Sequence, residues 1–331
     1  MSWTGTAFAQ SAVPALGDYV RSTAQLSTGQ IDDARNGRVV TKFLRTELGR
    51  DVAVFGMVGI HVTRAAYIAH LRNVKSLIST RAQRFGIIGD PATSADLRGM
   101  AMAPSEWPAL ESCRVNHCDF KLPASSMEQF AHAVNWSGPN AQSEVDSIMR
   151  SNMEALVTAY RARGNAAMPR YDDTNSILAG DAFGALLGQS QFLSQYAPAF
   201  RNFLANYPSD RPEGATDVMY WSMDQITHLR PTLTVNQLLV YVPATGIPFV
   251  ARKQIYADHY FEASLAVTAV FDAPDLEGGP GIYLVSVRRY RFDSLPGGFL
   301  NIRGRARNAL QKQLSSDLEK ERKSSEARVA S

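Results

Sequence analysis

The densest set of side chains able to do chemistry lies between Lys253 and Glu262, where Lys253, Gln254, Tyr256, Asp258, His259, Tyr260 and Glu262 fall within ten residues. Arg288, Arg289 and Arg291 follow in the next apolar stretch. A histidine flanked by an aspartate has the parts of a general base, with Glu262 or Tyr256 beside it. The same residues would also serve as the polar end of a ligand site, re-aimed by a bulge at a broken strand. A third reading is simpler: Glu262 and the arginines form cross-strand ion pairs on a solvated face, and His259 satisfies a backbone group at the strand break. Ion pairing is the expectation, with ligand binding second and catalysis last.

Other candidates are sparser. Tyr171, Asp172 and Asp173 end the segment GNAAMPRYDD, where the carboxylate pair could sit at a helix N-terminus or bind a cation, with a solvated capping turn the expectation. Cys113 and Cys118 are the only cysteines. Five residues apart, they predict a small disulfide loop in an oxidising compartment. Two reduced buried thiols are the alternative, and a metal site with His117 would have three ligands in a spacing unlike C-x-x-C. His61, His70, His132 and His228 are scattered singly and read as structural. G-x-S-x-G, H-E-x-x-H, Walker and G-x-G-x-x-G patterns are missing, so no catalytic residue, metal site or cofactor is assigned.

The elements that must position these residues are concentrated in the last quarter. FVARKQIYADHYFEASLAVTAVFD (249–272) and GIYLVSVRRYRFD (281–293) alternate as half-buried strands. A single strand of the first length would run roughly 80 Å, so it must break, and Asp258–His259 is the expected break. Residues 260–272 and 281–293 then pair as a hairpin across APDLEGGP, with Gly278, Gly279 and Pro280 as the turn. Ile302, Ala306, Ala309, Leu310, Leu314 and Leu318 space a helix from Leu300 to Lys323 that covers one face of these strands. On residues 260–272 the apolar face is Phe261, Ala263, Leu265, Val267, Ala269 and Phe271. Its small members either let that helix approach closely or leave space for a ligand.

Earlier in the chain, 37–44 and 51–62 read as strands, and Thr63 stands as N-cap to a helix through Ile78. FGIIGDP and the segment around CDFKLP read as short strands. From Ser125, which has capping-box spacing to Glu128, the pattern turns helical: a short helix, a long one from Pro139–Asn140 to Arg163 ended by Gly164, and two more with a break near Pro198. Strands resume at 217–223 and 232–242. The expected division is a leader (1–36), a first α+β part (37–124), a helical insertion (125–207), antiparallel strands with the C-terminal helix (208–323) and a disordered tail (324–331).

The chain has 331 residues, 45% hydrophobic and 20% charged, with a formal net charge of +3. This is a globular composition, without an 18-residue apolar run and without the charge bias of a nucleic-acid binder. Ala7-Phe8-Ala9 before Gln10 matches the small-x-small end of a signal peptide whose charged and apolar regions are missing, and equally an ordinary flexible N-terminus.

A helix after an early strand, closing long antiparallel strands and a final amphipathic helix resemble the START-like, helix-grip arrangement. The segments CRVNHCDFKLP, YRARGN and KQIYADHYFEASL are also similar to those of a functionally uncharacterised group of exported bacterial proteins. The first resemblance implies an α+β fold with a curved antiparallel sheet, a long C-terminal helix and a helical insertion, enclosing a pocket for a lipid or other hydrophobic small molecule. The second implies a periplasmic or otherwise extracytoplasmic location. Ala263, Val267 and Ala269 are the expected pocket lining, with Tyr256, His259, Glu262 and Arg289 at its polar end. The competing expectation is a noncatalytic accessory subunit docked on a membrane protein complex through the helical insertion or through Trp136, Tyr220 and Trp221. Nucleic acid is not an expected partner.

Overall fold

The computed structural model describes residues 16–79, 82, 84–227, 229–276, 278–293 and 302–329. The signal-like Ala7–Ala9, His228 and Leu300 lie outside them. Two short helices, α1 (Leu16–Ser22) and α2 (Thr28–Arg35), lead into a hairpin of β1 (Val40–Leu44) and β2 (Asp51–Ile60). Ser27 and Gln30 close a reciprocal capping box at the start of α2. Thr63 caps α3 (Arg64–Leu71) as expected, but the helix stops at Arg72, and the side-chain Oδ1 of Asn73 accepts the Ser76 N–H to begin a second helix, α4 (Val74–Ser79).

The edge strand β3 (Arg84–Ile88) and the short helix α5 (Trp107–Glu111) follow. CDFKLP is not a strand. Its cysteines close a small loop, Cys113–Cys118, whose backbone is tied to the Asp172 and Asp173 carbonyls. Helix α6 (Ala124–Ala133) starts one residue before Ser125, so the expected capping box does not form. Pro123 stands at the cap, and Asp172 accepts the Ala124 N–H at 2.9 Å. The long helix α7 (Ala141–Arg163) ends at Gly164, whose φ of 58° is the left-handed conformation that glycine adopts without strain. A two-residue pair, β4 (Arg170–Tyr171) with β5 (Ile177–Leu178), precedes α8 (Ala179–Gly188), α9 (Gln191–Tyr196) and α10 (Pro198–Asn206).

Five long strands complete the sheet: β6 (Ala215–Asp224), β7 (Thr232–Tyr241), β8 (Phe249–Ala257), β9 (Phe261–Ala273) and β10 (Gly281–Phe292). Its order is β1-β2-β10-β9-β8-β7-β6-β3, antiparallel throughout. The break at 258–260 and the β9–β10 hairpin fall where alternation places them. Both edge strands have five residues, which limits the unpaired backbone they present.

Both faces of this sheet are buried. All ten residues of β2 are inaccessible, as expected for a strand with apolar side chains on both sides. On one face Ala53, Phe55, Met57, Ala263, Leu265, Val267, Ala269, Val285 and Val287 share a core with α1 and α7–α10. On the other, Val52, Val54, Val58, Ile60, Val270, Ile282 and Leu284 pack against α3 and the C-terminal helix α11 (Ile302–Val329) through Ala306, Leu310, Leu314 and Leu318. Gly56 permits this approach, since a Cβ there would sit 2.7 Å from a Leu318 methyl and 3.0 Å from Leu314.

Two expectations are corrected. The Ala263, Val267, Ala269 face meets the helical block, with α8 against β9, and α11 lies on the opposite face. A two-residue period shows that a strand has two faces but not which helix takes which, and here both faces are apolar. Helix α11 also continues to Val329, with Ser325 buried, so 324–329 is helix and not a disordered tail.

Candidate functional site

The cluster singled out by residue type is real but is a buried polar core. A bulge opposite Arg291 and Phe292 leaves Glu262 as the extra residue on β9. Its carboxylate turns inward, 1% exposed, and takes a 2.7 Å ion pair from Arg50. Burial pushes this carboxyl above its usual range, against the pull of Arg50 and Lys121. Arg291 grips Asp51 through two hydrogen bonds of 2.8 and 2.9 Å, and Gln189 at the end of α8 adds a third at 2.9 Å. Burial acts to raise the Asp51 carboxyl, but Arg291 and Gln189 outweigh it and hold it low. Lys121 lies 3.4 Å from both Asp173 and Asp293, and its ammonium sits over the Tyr171 ring.

Sequence neighbours part company here. Asp258 accepts the Leu233 N–H at 2.9 Å, while His259 Nδ1 bonds the Asp119 carbonyl at 3.0 Å and its Nε2 lies 3.7 Å from Glu106. The expected aspartate–histidine partnership is absent from these contacts. Burial drives the Asp258 carboxyl well up and the His259 imidazole down. Tyr256 is buried beside Tyr171, and Arg289 reaches toward Gln189 from its place opposite Leu265. The ion pairs expected on a solvated face are therefore inside, and they join β10 and β9 to other elements. Ala263, Val267 and Ala269 are 0–2% exposed within the core. The two carboxylates expected in a solvated capping turn divide: Asp172 sits at the N-terminus of α6, while Asp173 is buried against Lys121.

Lys253, also in the sequence cluster, is fully buried on the same face. Its ammonium meets Asn165 Oδ1 and the rings of Phe183 and Tyr160, and burial drives its pKa well below the usual lysine value. Tyr220 and Trp221, expected as exposed docking aromatics, are 2% and 4% exposed, and Trp221 donates to the Asp96 carbonyl at 3.0 Å. Trp136 is half-buried against the core.

The open space is on the other side of the sheet. Helix α11 packs closely on β1 and β2, while α4 covers the β6–β8 side through Ile78 and Leu77. Between them the sheet surface is polar: Arg252 pairs with Asp224, Arg288 with Asp317 at 2.7 Å, and Thr268 with Ser286 at 3.1 Å. Two cavities of about 40 Å³ each flank Arg252, Arg288 and Asp317. One shares Gln313 and Asp317 with a groove of about 1070 Å³ that runs along α11. The opposite wall of this groove is Ala82, Ala101, Met102, Pro104, Met223 and Arg84, while α11 contributes Arg305, Asn308, Ala309, Lys312, Ser316 and Lys320. Sequence reasoning missed these residues, which come from segments with no shared motif. The only advance signal was the polar side of the C-terminal helix.

Fold and groove together define an α+β protein whose antiparallel sheet is held between helical layers, with an accessible hollow beside its C-terminal helix. Compared with models of known protein families and with curated proteins, the chain gives no match. Among the described residues no helix is long and apolar enough to cross a membrane, and no group of three or more His, Cys, Asp or Glu is placed to hold a metal ion.

Proposed function

We propose that this is an extracytoplasmic, noncatalytic binding protein that holds a lipid or other amphipathic small molecule beside its C-terminal helix, in a START-like manner. One observation carries the reading: the groove of about 1070 Å³ between α11 and the sheet edge, large enough for a small-molecule ligand and walled in part by Met102, Met223 and alanines. Methionine is unbranched and polarizable, so such a wall adapts to a flexible chain. The Cys113–Cys118 bridge supports an oxidising compartment, the periplasm being the one that the sequence resemblance implies. The ligand site proposed here differs from the one expected around Ala263, which is filled by the helical block.

Native mass spectrometry of protein isolated from its own source tests the proposal. A noncovalent adduct of small-molecule mass, lost on denaturation and absent from a Met223→Trp variant of unchanged stability, is the expected result. An adduct retained undiminished by Met223→Trp would place the ligand elsewhere. Absence of any adduct, together with failure to bind a fluorescent long-chain probe, would overturn the reading.

A further inference from the structure

The charges of the groove are unbalanced in one direction. Arg305, Lys312 and Lys320 line it from α11, spaced seven and eight residues apart. At 1.5 Å per residue this ladder extends about 22 Å along one wall. None of the three forms an ion pair among the described residues, and Arg84 adds a fourth cation from the opposite wall. Two carboxylates also line the groove, and both are committed. Asp146 accepts the Met102 N–H at 3.1 Å and lies 3.5 Å from Arg150, while Asp317 is paired with Arg288. Among the described residues, four cations thus line the space, and both carboxylates that line it are already engaged.

We infer that the groove selects a free, single-chain anionic amphiphile of the fatty-acid type, its chain along the Met102–Met223 wall and its carboxylate on the Arg305, Lys312, Lys320 ladder. This rests on the reading of the groove as the ligand site. A neutral chain would leave the cations partly desolvated without compensation, which favours the anion. A polyanion such as nucleic acid would leave the methionine wall unused. The cations line a hollow and do not project from a convex face, which argues against an anionic membrane surface as occupant.

Binding of dodecanoate and of dodecanol to the full chain, measured by displacement of a fluorescent probe, separates the outcomes. The expected result is a preference for the anion of about tenfold or more, equivalent to about 1.4 kcal/mol, shrinking as salt is raised. Lys312→Glu with Lys320→Glu should abolish that preference without weakening dodecanol, and Lys312→Arg should retain it. Equal binding of anion and alcohol would overturn the charge inference while leaving the groove as the ligand site. Binding of neither would overturn both, and tighter binding to anionic vesicles than to free dodecanoate would overturn the choice of occupant.

Discussion

The Arg288–Asp317 pair joins the sheet to the C-terminal helix, and it is the place where a small perturbation should have a large effect. The side chains are 4% and 8% exposed and 2.7 Å apart. An exposed pair contributes about 0–1 kcal/mol. A buried pair behaves differently, because removing one partner strands the other charge without water, at a cost of about 3–5 kcal/mol. Asp317→Leu should therefore lose about 3–5 kcal/mol, and Arg288→Met a similar amount. The double variant Arg288→Met/Asp317→Leu replaces both charges with apolar groups of comparable size and should lie close to the parent or above it. Arg288 Nε has no hydrogen-bond partner among the described residues, so the arginine is under-satisfied even in the native pair, which favours the double replacement. Urea unfolding of the four proteins, followed by circular dichroism and fluorescence, gives the coupling energy. Additive single losses, or losses below about 1 kcal/mol, would show that water reaches the pair and that Leu310, Leu314 and Leu318 hold the helix unaided.

Three other outcomes follow. Ala263→Phe or Ala269→Phe should cost about 1–3 kcal/mol or more by overpacking the face under α8, measured as a fall in thermal midpoint; unchanged stability would reveal space there. Burial raises the Asp258 carboxyl, so the folded state binds its proton more tightly than the unfolded chain; stability falls as pH rises from the unfolded pKa, near 3.8, toward the folded one. Asp258→Asn keeps the acceptor for the Leu233 N–H and should flatten that decline, a slope readable from denaturation between about pH 4 and pH 8. Cys113→Ser with Cys118→Ser opens a loop of about six residues and should cost about 2 kcal/mol, while thiol labelling of the denatured native protein should find no free cysteine.

Much of the fold was legible because it rests on local periodicity. The strand break at Asp258–His259, the β9–β10 pairing, the Thr63 cap and the Gly164 stop all announce themselves within a few residues. What escaped depends on choices between distant partners. Alternation along Asp51–Ile60 and Phe261–Phe271 creates two apolar faces, and no local signal assigns α8 to one and α11 to the other. The polar cluster was legible as residue types and misread as a surface, because burial of Glu262 and Arg291 is decided by Arg50, Asp51, Lys121 and Gln189, far away in the chain. The groove was invisible for the same reason: Arg84, Met102, Met223 and Lys312 are ordinary residues until the sheet edge and the last helix stand side by side.

The seam between β2 and β10 carries a kinetic consequence. Arg291 and Asp51 meet across 240 residues of chain, so the central strand of the early hairpin acquires its second neighbour only after nearly everything else has been made. Until then β2 is an apolar ribbon with one edge open, and closing so long a loop is slow compared with local helix formation. Nascent or refolding chains therefore pass through an interval in which DVAVFGMVGI can pair with another copy of itself. Yield on refolding should fall with protein concentration more steeply than native stability would suggest, and assembly of the sheet depends on keeping that one strand sequestered until its C-terminal partner arrives.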